Sequence, residues 1–404
     1  MRERMRRAAA LLCAVVMALA LWPVEAWALE EDAAKTPGCS YMFINPLIPH
    51  SGEDIALFSA PTDYAVYAAN SNFPVFSTVQ AAADYARAEV KKREVHSVFM
   101  DIPTNWDNIP DDQWTSHCQQ ISEQILAEVI RHTGDPTDGD YLLLHCYGIG
   151  YMAFPQEGIC RVILQVIKYL SSAPQDAAAG AEAARILQDL RLDGMSEYEK
   201  ICAIYDWLCS NVTYDDSEPA DETAMLLQHS AYAALVEKTA VCQGYATAFY
   251  RLALMAGLDA RVVTGYGDGG PHGWNIVRLD GQWYYVDATW DATWNAGVKE
   301  KDWRFFLRAS LDQHELDELG ESVVAQYHIS PVDYYRDVGQ LNTDGSITVQ
   351  DMQLLYTFLT TGDVPVGQNV LADGVFQQAA DVNRDGQVDV YDLQMLYEIV
   401  CQIR

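Results

Sequence analysis

The dipeptide Asp280-Gly281 constrains the fold of this chain strongly, because it separates two strand-like runs by two residues. Asp-Gly is a preferred two-residue hairpin loop, in which both residues adopt positive φ. If these residues form the loop, Leu279 pairs with Gln282 and the register of the hairpin follows. His272 and Asp287 then become diagonal neighbours on one face, within reach of an imidazole–carboxylate contact. The spacing therefore predicts a hairpin that brings a base and an acid together.

A cysteine precedes the hairpin at a position suited to nucleophilic chemistry. The sequence predicts a helix over 243–257, which puts Cys242 at the helix N-terminus, where free N–H groups and the helix dipole favour a thiolate. A thiol, an imidazole and a carboxylate can form a relay in which the imidazole deprotonates the thiol and the carboxylate orients the imidazole. An isolated cysteine in an apolar run is more often a buried small hydrophobe. The matched register of His272 and Asp287 favours the relay instead.

The residues around these positions resemble the transglutaminase-like superfamily, whose fold is shared with papain-like cysteine proteases. The resemblance covers roughly residues 190–330 and rests on three blocks in order: VCQGYA at 241–246, HGWN at 272–275, and GQWY at 281–284 leading into VDATW at 286–290. The segment 199–215 resembles the helix that precedes the family's core. The resemblance implies that Cys242 is the nucleophile, His272 the base and Asp287 the orienting acid.

Residues 337–404 contain an internal repeat in which Asn342 aligns with Asn383, an offset of 41 residues. Oxygen-bearing side chains at alternating positions, a central glycine and a final aspartate give the spacing of a calcium-binding loop. The predicted ligands of the two copies are Gln340, Asn342, Asp344, Ser346, Thr348 and Asp351, and then Asp381, Asn383, Asp385, Gln387, Asp389 and Asp392.

Each loop is followed by an apolar helix, predicted over 352–359 and 393–400, with no clear partner helix before it. This duplicated loop–helix unit resembles a type I dockerin, a module that docks secreted enzymes onto cohesin domains of a scaffold protein. The resemblance implies two structural Ca²⁺ sites and a cohesin partner. Gln340 offers a neutral oxygen where the family has aspartate, so we expect the first site to bind Ca²⁺ more weakly. The cohesin-reading positions of the family are occupied here by Val349-Gln350 and Val390-Tyr391.

The first 28 residues are predicted to be a signal peptide. Four arginines precede an apolar stretch, residues 8–22, that is too short to span a membrane, and Ala26-Trp27-Ala28 fits a cleavage site. We therefore expect a secreted protein with no membrane partner after cleavage. The formal net charge of −31 at pH 7 disfavours nucleic acid as a partner.

The expected fold class is α+β, with a transglutaminase-like or papain-like catalytic domain at 191–332. An N-terminal α/β domain of unknown role is predicted at 29–190, and a small all-α calcium-binding dockerin-like module at 333–404. In the N-terminal domain we predict helices over 79–92, 118–132 and 177–189, and strands over 98–102, 141–145 and 162–169. This alternation is typical of a compact α/β or α+β domain. Both substrate positioning and simple packing remain open as its role.

Two classes of function follow. The first is cysteine-dependent acyl transfer on protein or peptide amides, completed by water in a peptidase or deamidase and by an amine in a transglutaminase; we favour hydrolysis. Docking would then tether the enzyme to a cohesin-bearing scaffold, in an extracellular complex such as a polysaccharide-degrading cellulosome. The alternative is a non-catalytic secreted adaptor in which the transglutaminase-like fold only binds protein and the dockerin is the working module. The complete Cys–His–Asp set favours the enzyme.

Overall fold

The computed structural model describes residues 38–49, 73–296, 303–335, 338–344, 346–367 and 369–401. The predicted signal peptide lies outside these ranges. Within them, no helix is both long enough and apolar enough to cross a membrane. The helices of the described residues are α1 Val79–Lys91, α2 Trp114–Val129, α3 Asp140–Leu144, α4 Ala173–Leu190, α5 Glu197–Asn211, α6 Glu222–Gln228, α7 Cys242–Met255, α8 Ala288–Trp294, α9 Glu318–Val324, α10 Val349–Thr361, α11 Asp373–Ala380 and α12 Val390–Cys401.

The strands form two four-stranded sheets and a short parallel pair, β5–β6. In chain order they are β1 Cys39–Ile44, β2 Ser97–Pro103, β3 Gly148–Gln156, β4 Ile159–Val166, β5 Thr213–Tyr214, β6 Thr239–Ala240, β7 Ala260–Gly267, β8 Gly270–Leu279, β9 Gln282–Val286 and β10 His314–Leu316.

The first sheet has the order β1-β3-β4-β2 and is antiparallel throughout. Its apolar side chains share a core with α1 and α2, which includes Ala86, Met100, Ile125, Tyr151 and Val162, all at most 1% exposed. Helices packed on an antiparallel sheet are the α+β arrangement, so the structure selects this form from the two that the sequence left open.

The predicted strand at 141–145 is wrong, because residues 141–144 belong to the short helix α3 and His145 is its C-cap. All five residues of α3 are buried, so an apolar run without periodicity does not distinguish helix from strand. The strand β3 was not predicted, although it lies between β1 and β4 in the first sheet. Eight of its nine residues are buried, which removes the alternation typical of a half-buried strand.

The second sheet has the order β10-β7-β8-β9 and carries the predicted hairpin. The loop between β8 and β9 consists of Asp280 and Gly281, with φ of 50° and 83°, so the predicted hairpin loop with two positive φ angles is confirmed. The predicted helix after Cys242 is also confirmed as α7, which is buried along nearly its whole length.

Contacts divide the chain into two compact units. The first comprises the described residues within 1–276, 287–304 and 313–326, and the second comprises those within 277–286, 305–312 and 327–404. The first unit runs across residue 190, and a buried ion pair between Asp140 of α3 and Arg261 of β7 connects segments on either side of it, with an Nη2···Oδ1 distance of 2.7 Å. The proposed domain boundaries at 190 and 332 remain predictions.

The second unit contains the loop–helix repeat. Its core includes Leu341, Leu355, Phe376, Val382 and Leu396. The helices α10 and α12 follow the two loops, as predicted. The expectation of no helix before the loops is wrong for the second copy, because α11 directly precedes Asp381.

Arg384 connects the second loop to the hairpin within the same unit. Its Nη1 lies 2.9 Å from the Asp280 carboxylate at the hairpin loop, and its guanidinium lies 4.1 Å from the ring centre of Tyr334. The Arg384 side chain is only 10% exposed, whereas that of Asp280 is 53% exposed. The hairpin tip and the second loop are thus in direct contact.

Candidate active site and calcium loops

The cysteine thiol lies at the start of a buried helix. Cys242 is the first residue of α7 and is 6% exposed. The next residue, Gln243, is fully buried and donates from its amide nitrogen to the Leu144 carbonyl, which anchors the start of α7 to the end of α3. The N–H groups of a first helical turn have no partners within the helix, so the thiol is placed beside a region of positive potential.

The imidazole of His272 connects the thiol to a carboxylate. His272 lies on β8 and is 5% exposed, and its Nε2 is 2.7 Å from Oδ2 of Asp287. The side chain of Cys242 also interacts with this ring, and the interaction raises the pKa of His272. Since Nε2 is committed to Asp287, the other ring nitrogen, Nδ1, is the one available to the thiol. The structure thus brings the three predicted residues into one continuous chain of contacts.

Asp287 reaches His272 by a different local structure from the one predicted. The strand β9 ends at Val286, so Asp287 is not a strand residue but the N-cap of α8. Its Oδ1 accepts from the backbone N–H groups of Thr289 and Trp290, at 2.8 and 3.1 Å. An aspartate at this position satisfies helix donors that otherwise lack partners. The helix start therefore fixes the carboxylate while its other oxygen faces His272.

Charge and burial oppose each other in this pair. Burial lowers the pKa of His272, but the charge and hydrogen bond of Asp287, followed by the contacts with Cys242, outweigh it and raise the pKa to about 10. Burial raises the pKa of Asp287, whereas the charge and hydrogen bond of His272 and the contact with His314 hold it well below its usual range. At neutral pH the site therefore favours a protonated imidazole beside Cys242.

His314 is a site residue that the sequence analysis missed. It is the first residue of β10, and its Nε2 lies 3.0 Å from Oδ2 of Asp287. Its separation from Asp287 by 27 residues and its polar surroundings in the sequence give no motif that could have indicated it. Ligand atoms of His272, Asp287 and His314 lie within 4.8 Å of one another, so these residues have the chemistry to hold a transition metal.

Tyr214 marks a more exposed side of the site. It is the second residue of β5 and is 41% exposed. Burial of part of its ring raises its pKa to about 12, and electrostatic interactions with Cys242 and Asp215 add to this effect. The pairing of Tyr214 with Ala240 on β6 places it beside the segment that leads into Cys242.

In the second repeat loop, two buried carboxylates organise the backbone. Asp381 accepts from the N–H groups of Asp385 and Gly386 at 3.1 and 3.0 Å, and Asp392 accepts from those of Asn383 and Asp389 at 3.0 and 2.7 Å. Burial raises the pKa of Asp392, and the charge of Asp385 adds to it. Carboxylate and amide oxygens that converge in this way fit Ca²⁺, which would offset their repulsion. Gln387 follows Asp385 on the exposed side of the loop.

The first loop is built similarly around Asp351. Asp351 is fully buried and accepts from the Leu341 N–H and the Asn342 side chain at 2.8 and 3.0 Å, and from the Thr348 N–H at 2.8 Å. The other predicted ligands are less buried, with Gln340 partly buried and Asp344 and Ser346 exposed. These oxygens also fit Ca²⁺, with two carboxylates fewer than in the second loop.

A cysteine at a helix start, a histidine on a hairpin strand and an aspartate at the next helix start, in an α+β setting, form the arrangement expected of a transglutaminase-like domain. Comparison with known families agrees with this class. Residues 184–288 match the Transglutaminase-like superfamily, and residues 338–400 match the Dockerin type I domain. The chain therefore contains a transglutaminase-like domain followed by a type I dockerin domain. Dockerins of this type bind calcium and associate with cohesins.

Two curated relatives carry the same name. Kyphoscoliosis peptidase of Mus musculus is 29% identical over 139 residues, and that of Homo sapiens is 27% identical over 139 residues. Each match covers 31% of this chain and 21% of the relative, so the matched segment spans about a fifth of the length of these relatives. A solved TGase structure aligns over 55% of this chain and 60% of its own length, with 15% identity and a TM-score of 0.25.

Proposed function

We propose that this protein is a cysteine-dependent acyl-transfer enzyme that acts on protein or peptide amides. The observation that carries the proposal is the chain of contacts from Cys242 through His272 to Asp287, in which all three groups are at most 6% exposed. The name of the matched relatives, kyphoscoliosis peptidase, supports an amide substrate.

We assign each group a role in acylation, and these contacts support the assignment. The Cys242 thiolate attacks the amide carbonyl carbon, and a C–S bond forms as the carbonyl oxygen becomes an oxyanion at the N-terminal end of α7. The C–N bond then breaks, and His272 gives its Nδ1 proton to the departing amine. Asp287 keeps the proton on Nε2 and thereby holds the ring in the required orientation. The products of this half-reaction are a thioester and a free amine.

The second half-reaction resolves the thioester. His272 accepts a proton from water or from an acceptor amine, whose oxygen or nitrogen attacks the thioester carbonyl and releases Cys242. We favour water, which makes the enzyme a peptidase or deamidase. Incubation with a peptide library, with and without a labelled amine, tests this choice. Incorporation of the amine in preference to hydrolysis would show a transglutaminase.

Selective alkylation tests the relay, because the chain contains its own reference thiol. Cys401 is exposed, whereas Cys242 is 6% exposed, so access alone predicts faster labelling of Cys401. An activated nucleophile reverses this order when iodoacetamide is limiting near pH 7 and the labelled cysteines are mapped by mass. We expect Cys242 to be labelled first in the wild type and to lose this preference in His272→Ala. Labelling of Cys401 first in the wild type would instead favour a non-catalytic adaptor.

We further propose that the dockerin domain tethers the enzyme outside the cell to a cohesin-bearing scaffold, after export directed by the predicted signal peptide. The exposure of apolar residues at corresponding positions of the two repeats supports this, with Val349 at 56% and Val390 at 64%. Tyr356 and Tyr397 form a second such pair, at 60% and 47%. Exposed apolar residues that recur in this way are suited to a protein interface. Two structural Ca²⁺ ions would hold the loops that orient both helices.

Calorimetry with a panel of cohesins tests the tether. Binding is expected with Ca²⁺ and not with EDTA, and the double variant Val349→Asp/Val390→Asp should weaken it. Val366→Asp is the matched control, because Val366 is also an exposed valine but lies between the repeats. Equal affinity of the two variants, or binding that survives EDTA, would refute this role.

A further inference from the structure

The Asp287 carboxylate is shared by two histidines. His314 contacts the same oxygen, Oδ2, that accepts from His272, at 3.0 Å compared with 2.7 Å. The other oxygen accepts from the N–H groups of Thr289 and Trp290. Each carboxylate oxygen therefore has two hydrogen-bond partners, which fills the usual lone-pair positions of both. A carboxylate held in this way cannot rotate without breaking several hydrogen bonds.

The position of His314 is fixed by structure around it. On β10 it pairs with Gly267 of β7, and its side chain is 2% exposed. Its ring centre lies 4.2 Å from that of Trp290 and 4.9 Å from that of Trp274, and these two indoles also flank His272. The two imidazoles and two indoles thus form one packed aromatic group around the carboxylate. His314 is the member that approaches Asp287 from a strand outside the hairpin.

We propose that His314 is a positioning residue for the relay: its Nε2–H donates to Asp287 and fixes the carboxylate that orients His272. This proposal rests on the proposed acyl-transfer function. Without the second donor, Oδ2 would be held only by His272, so the carboxylate could pivot about Oδ1, which stays bonded to α8, and carry the imidazole away from Cys242. Loss of a hydrogen bond to a charged group is expected to lower a rate that depends on it by roughly 10- to 100-fold.

Two substitutions separate the hydrogen bond from the packing. His314→Phe keeps a ring among the indoles and removes the N–H, whereas His314→Gln keeps a nitrogen donor and removes the ring. The readout is the alkylation rate of Cys242 divided by that of Cys401 in the same molecule. We expect this ratio to fall about 10-fold or more in His314→Phe and to recover at least in part in His314→Gln. Urea unfolding of each variant tests whether the fold is intact.

A spectroscopic measurement detects the contact without relying on reactivity. In the wild type, the Nε2 protons of His272 and His314 should give downfield proton NMR signals, as is typical of N–H groups hydrogen-bonded to a carboxylate. His314→Phe should remove one signal and shift that of His272, whereas a role in packing alone would leave the His272 signal in place. If the structure of His314→Phe is disrupted, His314→Gln decides the question. This variant keeps a donor without the ring, so the His272 signal should stay in place if the hydrogen bond matters and should shift if only the packing matters.

The outcomes distinguish this proposal from the function on which it rests. If wild-type Cys242 shows no preference over Cys401, the acyl-transfer function fails. If the preference is present and lost in His272→Ala but unchanged in folded His314→Phe, only the role of His314 fails. The measurements are repeated with 1,10-phenanthroline, which removes transition metals and leaves Ca²⁺ bound. An effect of His314→Phe that disappears under this chelator would show that His314 is a metal ligand and would overturn the proposal.

Discussion

Gly267 provides the sharpest test of the relay geometry, because it contacts the base without taking part in the chemistry. A Cβ added at Gly267 would lie 2.9 Å from Cδ2 and 3.0 Å from Cγ of His272, and 3.0 Å from Cζ2 of Trp290. Ordinary contacts of a Cβ begin near 3.4 Å, so the imidazole must move by about 0.5 Å to make room. The backbone of Gly267 does not have the positive φ that requires glycine, so Gly267→Ala introduces only the methyl group.

The magnitude follows from that displacement. Overpacking of a well-packed site costs about 1–3 kcal/mol of unfolding free energy. A misplacement of 1 Å in a reacting geometry costs on the order of 100-fold in rate, so a shift of half that size should slow alkylation of Cys242 by about 10-fold. Gly270→Ala is the matched control, since Gly270 lies across the same turn and an added Cβ there meets nothing within 4 Å.

The assay is the alkylation ratio of Cys242 to Cys401, measured at one pH for the wild type and both alanine variants, with urea unfolding of each. We expect Gly270→Ala to resemble the wild type and Gly267→Ala to lose reactivity at Cys242 while remaining folded. Equal ratios in the two variants would mean that the position of the His272 imidazole does not control the reactivity of the Cys242 thiol, and this would refute the proposed relay.

Three further predictions concern stability. Asp140→Ala should cost about 3–5 kcal/mol in urea unfolding, because it leaves the buried Arg261 guanidinium without its carboxylate; a cost below about 1 kcal/mol would refute this. Arg384→Ala should lower the free energy of unfolding by about 1 kcal/mol, because it removes the contact with the Tyr334 ring. Asp280→Asn should change it little, because that carboxylate is exposed, and equal losses in the two variants would contradict this ranking. Folding raises the pKa of His272 from 6.5 to about 10, so the protonated imidazole stabilises the folded state fully below pH 6.5. This stabilisation is lost as the pH rises through 10, and the corresponding fall in the free energy of unfolding should be absent in His272→Phe.

Local chemistry explains which parts of the fold could be predicted. The helix at Cys242 and the hairpin loop at Asp280-Gly281 depend on short-range preferences, namely helix formers in series and two residues that tolerate positive φ. The segments 140–144 and 148–156 could not be assigned correctly, because almost all of their residues are buried. Complete burial removes the periodic contrast between apolar and polar positions on which such assignments depend.

In the candidate site, too, the features set by local sequence could be predicted and those set by tertiary contacts could not. Its thiol, base and acid are linked to recognisable local motifs, and the structure brings them into contact. The predicted secondary structure of Asp287 was wrong, since this residue reaches His272 as a helix N-cap rather than as a strand residue. His314 could not be found at all, because it meets Asp287 only when β10 pairs with β7, which is a tertiary event.

The N-cap position of Asp287 connects the fold to the proposed chemistry. A buried carboxylate is costly unless its charge is balanced, and here backbone donors of α8 satisfy Oδ1 while imidazoles satisfy Oδ2. The carboxylate can therefore remain ionised at 1% exposure and hold the proton on Nε2 of His272. Substitution by asparagine would keep the helix cap but remove the charge that raises the pKa of His272. The same aspartate thus begins a helix and raises the pKa of His272, the proposed base, so we expect Asp287→Asn to fold and yet to lose the selective reactivity proposed for Cys242.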